Sequence, residues 1–197
     1  TRSFTQACVY QAVRSALAVE IPNTSGVFRP INVLTRPGTV CEVVMPGASS
    51  MRGVTGFRAL DAINGALAQL IPSRVPAAGE GGNTLAVFGA KRPGDDEQFI
   101  FYELIVGTWG GTPLADGNDG VTNPASLAAN IPVEVAESEF PIVVERYGLV
   151  PDSGGPGLHR GGLAIERAWR CLTPDTSLIV RSDRASRPPY GLAGGGA

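Results

Sequence analysis

Apolar residues recur at helical spacing in the first segment of the chain. Val9, Val13, Ala16 and Leu17 follow a Ser3 to Gln6 capping-box pattern, which predicts a helix from about Phe4 to Val19. Pro22 and Pro30 then enforce an extended passage through "IPNTSGVFRPINVLTRPGTVCEVVMPG", where the short apolar runs leave room for connecting structure and brief strands. Leu60, Ile63, Leu67, Leu70 and Ile71 mark one face of a second helix, from about Thr55 to Ile71, stopped by Pro72. Gly56 and Gly65 inside it each cost about 1 kcal/mol relative to alanine, which implies close packing against another backbone.

After "AAGEGG" the period changes to that of strands, first "TLAVFGA" and then "EQFIFYELIVG". From Phe99 to Val106 the second strand is apolar on both faces, as in a strand buried inside a layered structure, and only Glu103 interrupts it. A long loop follows, "GTWGGTPLADGNDGVTNPASLAAN", of a kind that is functional or disordered in a compact domain. The last third reads as strands and turns: "PVEVAE", "PIVVERYGLV", "LAIERAWRCL" and "TSLIVRSD". The alternation on either side of "PDSGGPGLHRGG" predicts a β-hairpin.

The expected fold class is α+β, with two N-terminal-side helices packed on mixed strands and a β-rich C-terminal half. The expected divisions are an α+β part over 1–132, a β-rich part over 133–192 and a flexible tail over 193–197, together one unit. A start on a helix cap without methionine, and the glycine-rich end, read as a segment cut from a longer subunit.

Composition narrows the function classes. The 197 residues are 43% apolar, enough to bury a core, and the formal charge of -2 argues against a nucleic-acid surface or a polybasic membrane contact. No run has the length of a membrane span, and "TRSFTQ" has neither a charged leader nor a signal-peptide core. Cys8, Cys41 and Cys171 lie far apart without metal-ligand spacing, so they read as reduced thiols of a cytoplasmic protein.

The stretch "PDSGGPGLHRGG" combines glycines with His159, the chain's one histidine. A phosphate cradle leads into a helix N-terminus, whereas this stretch leads into a strand, so the glycines serve tight backbone conformations. His159 reads as a turn or interface residue, and Arg160 as an anion binder or a partner for Asp152.

"VERYGLVPDSGGPGLHRGG" resembles the signature near the C-terminus of the hydantoinase B/oxoprolinase family. "VYQAVRSAL", "IPNTSGVFRPI", "INGALAQLIPSRVPAAG", "FIFYELIVGTWGG", "DGNDGVTNPASLAANIPVEVAESEFPIVVERY" and "GLAGG" resemble family segments in the same order. The resemblance implies the C-terminal portion of a B-type subunit of an ATP-dependent cyclic-amide hydrolase, of hydantoinase or 5-oxoprolinase type. ATP would sit on a hydantoinase A-type partner, since this chain has neither a Walker loop nor a kinase lysine. A divalent metal would take its ligands mainly from the missing N-terminal half of the subunit, within a homo-oligomeric assembly. The alternatives are an acetone-type carboxylase subunit and a non-catalytic assembly module for the ATP-binding partner.

Glu103 matches the family's "YYE" segment and is the candidate catalytic residue, as a general base or as the group that orients one. Its alternative is a buried ion pair with Arg58 or Arg92. Asp119, Asn123, Asn130 and Glu134 are candidates for holding a polar heterocycle or Mg²⁺ through oxygen contacts, while Asp116 and Asn118 belong to turn chemistry. Arg58 is a candidate for a substrate carboxylate, against a surface ion pair. The glycines of "GTWGG" imply close approach to another element or protein chain.

Overall fold

The computed structural model describes residues 1–17, 20–82, 84–94, 97–126 and 128–197. Helix α1 (Arg2–Leu17) buries Thr5, Cys8, Ala12 and Ala16, a stripe one turn apart. Its first turn closes from the Thr5 N–H onto the Thr1 carbonyl at 3.0 Å, so Ser3 lies within the helix and does not cap it. The predicted end at Val19 lies outside the described residues. A four-residue helix, α2 (Ser25–Phe28), interrupts the extended passage, and Phe28 stacks on Tyr10 of α1.

Helix α3 (Arg52–Leu67) packs on α1 through a cluster of Cys8, Ala12 and Leu60, flanked by Phe4, Ile63 and Trp109. Burial pushes the Cys8 thiol up to about 11, leaving it to pack as a small apolar group. Leu70 and Ile71 fall beyond the helix, in turns that lead into a 3₁₀ segment, Pro72–Arg74. Close packing at Gly56 and Gly65 comes from side chains, not backbone: the Phe4 ring and Cys8 sulfur cover the first, and the Tyr190 hydroxyl covers the second.

Strand β1 (Thr84–Lys91) is central in an antiparallel sheet, with β2 (Gln98–Ile105) on one side and β5 (Ser177–Arg181) on the other. Register sets Phe88 against Phe101 and Leu178. Ala86, Phe88, Phe99 and Phe101 form the inner face of this sheet. They pack with Ala136, Phe140, Ile142 and Trp169. β2 is not buried on both faces: Ile100 and Tyr102 on its outer face are 69% and 60% exposed, because no layer of the described residues lies over that side.

The segment "PVEVAE", read as a strand, opens helix α4 (Val133–Glu139). Val133, Ala136 and Phe140 recur at helical spacing, and the fully buried Ala136 docks against the sheet. Glu134 in the first turn favours that helix end. Strands β3 (Ile142–Leu149) and β4 (Ile165–Cys171) form the predicted hairpin, with a register shift between Val144 and Arg146. The result is an α+β fold.

The run 193–197, expected to be flexible, folds back on the glycine stretch. Gly196 donates its N–H to the Pro156 carbonyl at 2.8 Å, an approach that side chains at Gly155 and Gly196 would obstruct.

Candidate functional site

Glu103 points into the core from β2 and is 1% exposed. Its partner is neither Arg58 nor Arg92 but Arg167 of β4, whose Nε lies 3.0 Å from Oε2. Oε1 accepts hydrogen bonds from the Ile131 N–H at 3.1 Å and Asn130 Nδ2 at 3.3 Å. Asn130 also bonds the Leu104 carbonyl and the Val106 N–H, and Arg167 donates to the Ile131 carbonyl. Arg167 lies 4.2 Å over the Tyr147 ring. The group joins β2, β4 and the end of the long loop, and surrounds the carboxylate with protein.

The other predicted site residues do not converge on Glu103, apart from Asn130. Asp119 forms a two-oxygen pair with Arg160 and accepts the Leu163 N–H. Those bonds, the Arg160 one foremost, hold its carboxyl below the usual carboxylate range. Arg160 therefore pairs with Asp119 and Asp116, not with Asp152. Asn123 Oδ1 accepts the Ala125 N–H to build a turn, while Glu134 is exposed on α4. Arg58 binds Asp61 at 3.3 Å, Asp183 at 3.1 Å and the Glu80 carbonyl at 3.2 Å.

A wide concavity lies elsewhere. A cleft of about 850 Å³ is lined by segments from 68–80, 108–113, 153–164 and 189–197. Its walls are held by main-chain bonds: Ala77 N–H to the Gly111 carbonyl, Ala78 N–H to that of Tyr190, Gly162 N–H to that of Trp109 and Gly161 N–H to that of Gly155. The glycines permit this meshing. A Cβ on Gly110 would sit 2.4 Å from the Ala77 oxygen, and one on Gly111 2.5 Å from the His159 oxygen. The "GTWGG" run thus meets backbone from two other segments, and the glycine stretch acts as packing in which no helix begins. His159 lines the cleft, with Nδ1 3.6 Å from an Asp116 oxygen.

Behind one wall lies a charged cluster of which the sequence patterns single out Arg58 alone. Asp61, 4% exposed, takes Arg58 and Arg184, the latter at 2.7 Å, and its carbonyl accepts the Tyr190 hydroxyl. Glu80, a lining residue of the cleft, lays its carboxyl over Gly107, where a Cβ would collide with it. Burial pushes Glu80 up to about 7, opposed in part by the Gly82 N–H and Arg58. The visible signal for Glu80 is a lone carboxylate among the glycines of "AAGEGG", a stretch that in the sequence marks only the change of period.

Glu80 should make stability depend on pH. The folded chain holds a proton up to about 7 that the unfolded chain releases near the ordinary 4.5, so this contribution is complete below 4.5 and is lost as pH rises to 7. Asp61 is raised by burial in the same direction. Glu80→Gln should remove about 1–3 kcal/mol of the stability difference between pH 5 and pH 8. Urea unfolding at the two pH values checks this, and an unchanged difference would exclude it.

Among the described residues, no three His, Cys, Asp or Glu side chains form a group that could hold a metal ion. No helix among them is long and apolar enough to cross a membrane.

Comparison with known proteins adds relatives to this geometry. The family model described as Hydantoinase B/oxoprolinase matches residues 1–197. The chain is 35% identical to an uncharacterized protein of Methanocaldococcus jannaschii, covering 93% of this chain and 32% of that protein. It is 30% identical to a protein of Pseudomonas sp. (strain NS671) provisionally named as the B component of a D-/L-hydantoinase, over 95% of this chain and 32% of the relative. The crystal structure of an ATP-dependent caprolactamase from Pseudomonas jessenii shares the fold, with a TM-score of 0.69 and 24% identity over 83% of this chain and 29% of the solved one. The chain thus spans about a third of the length of these relatives.

Proposed function

The chain belongs to the hydantoinase B/oxoprolinase family, and from that premise we propose that it forms part of the B-type subunit of an ATP-dependent cyclic-amide hydrolase. The observation that carries this reading is the family match along the whole chain, supported by a relative named as the B component of a hydantoinase. ATP is bound by an A-type partner, which transfers its γ-phosphoryl group to the amide oxygen. That turns a poor electrophile into a phosphorylated imidate. Water attacks the imidate carbon, the ring nitrogen leaves as an amine, and a second water releases phosphate from the resulting acyl phosphate.

This chain's contribution is the glycine-walled cleft. Trp109 and Tyr190 offer it aromatic surface and the backbone offers polar groups, a combination suited to a compact ring with one amide edge. Glu80 is the carboxyl at its wall able to exchange a proton near neutral pH. Glu103, Asn130 and Arg167 are positioning residues that fix the long loop on β2. Asp119 does the same for the glycine stretch through Arg160.

The test is ATP hydrolysis by the complete B-type subunit co-purified with its partner. Stimulation by 5-oxoproline or a hydantoin without bicarbonate is expected. Bicarbonate-dependent turnover of a ketone would replace this reading with the carboxylase one, and no stimulation by any substrate would leave an assembly role. In the same assay His159→Ala should keep turnover within a few-fold, because its backbone rather than its ring is built into the wall. A drop of several orders of magnitude with stability retained would make the imidazole a participant.

A further inference from the structure

The outer face of the three-stranded sheet carries no layer among the described residues, Met51 alone reaching one end of it through its sulfur at Arg181. Cross-strand register places Tyr102, Val87 and Ile179 in one row, with Ile100 in the row on one side and Leu104 and Leu85 in the row on the other. Arg181 supplies the one charged side chain in these three rows. The two edges of the sheet differ as well. Along β2, Asn130 bonds the Leu104 carbonyl and the Val106 N–H, so a loop holds the C-terminal end of that edge. Along β5, pairing among the described residues is to β1 alone, and Leu178, Ile179 and Val180 are 53%, 67% and 57% exposed.

A short apolar strand, bare on both faces and with an open edge, is an aggregation hazard unless something covers it. The cover must therefore be present whenever the chain is folded. We propose that the remaining two thirds of the same B-type subunit supply it, adding a strand beside β5 and an apolar surface over Tyr102, Val87 and Ile179. The relatives leave ample chain for this, since the present one spans 32% of their length. The near absence of charge matches a permanent interface resembling a domain core, rather than a separately folded partner that meets its target in solution. A cover within one polypeptide also forms at high effective concentration. This inference rests on the chain being part of a B-type subunit, but not on the reaction that this subunit catalyses.

The test uses the complete B-type subunit without its ATP-binding partner. Ile179→Cys is labelled with a thiol reagent and the modification at that position is followed by mass spectrometry, in the folded and in the urea-unfolded protein. Labelling about 100-fold or more slower in the folded protein, at every protein concentration, is expected. Smaller protection overturns the proposal. Protection that grows with protein concentration would assign the face to a second copy, and protection seen only with the ATP-binding partner would assign it to that protein; both also overturn it. Hydrogen exchange of residues 178–180 in the unmodified protein guards against a folding defect of the variant, with slow exchange expected and rapid exchange excluding a paired edge. Because neither readout involves turnover, a failed ATP hydrolysis assay and a failed cover give different results.

Discussion

Replacing Arg167 by methionine is expected to destabilise the fold by about 3–5 kcal/mol, because the change leaves a carboxylate buried without its counter-charge. The guanidinium is wholly buried, and Glu103 beside it is 1% exposed, so water cannot stand in. The remaining N–H donors, Asn130 and Ile131, both reach Oε1, and Oε2 faces Arg167. Glu103→Gln strands the arginine instead and should be damaging for the same reason. Combining the two changes should recover part of the loss, since neither charge is then left alone. Urea unfolding of the two single variants and the double variant gives the coupling directly. An unchanged midpoint for Arg167→Met would exclude the pair as a structural element, and Glu103→Gln with intact stability and assembly but no turnover would give Glu103 a direct catalytic role.

The second large effect is steric. Gly117→Ala is expected to cost about 3 kcal/mol through overpacking. The added methyl would stand 2.0 Å from the Trp109 oxygen and 2.6 Å from the Gly162 nitrogen, both main-chain atoms. Neither can rotate aside. Trp109 donates to Asn118, Gly162 donates to Trp109 and Gly117 donates to Arg160, so a shift of one strand of this mesh breaks bonds in the next. Gly148→Ala is the control, since nothing lies within 4 Å of its would-be Cβ, and it should stay near wild type. Thermal unfolding of both variants decides the matter: equal midpoints would mean that the loops around the cleft yield easily.

Much of the architecture was legible because period and punctuation agreed. Ala16 and Leu60 lie on the buried helical faces that the spacing marked, although α1 buries Thr5, Cys8 and Ala12 beside Ala16 in place of Val9, Val13 and the exposed Leu17, and the hairpin follows from alternation interrupted by glycines that mesh instead of capping a helix. The segment at Val133 misled because V-E-V alternates like a strand over three residues, while the spacing that decided the structure runs from Val133 through Ala136 to Phe140. The outer face of β2 misled in another way: apolar residues on both sides predicted two covering layers, and the described residues supply one.

The site was less legible, for a physical reason. Charge partners depend on which strands meet, and pairing between Glu103 and Arg167 requires the hairpin to dock on the sheet, which no local pattern encodes. Arg58 and Arg92 were nearer in sequence but lie against Asp61 and Glu97 instead. The cleft was hidden likewise, because backbone from four separated segments builds it and side-chain chemistry barely marks it.

The position of β5 also bears on how the chain emerges from the ribosome. Ser177 meets Gly89 across 88 residues of intervening sequence, whereas β2 follows β1 through a short connection. At about 5–20 residues per second, β1 waits roughly 4–18 seconds with one edge open before its second neighbour exists. Nascent chains stalled within that interval should be the ones that bind chaperones, and the closing of the sheet is a late event of biosynthesis.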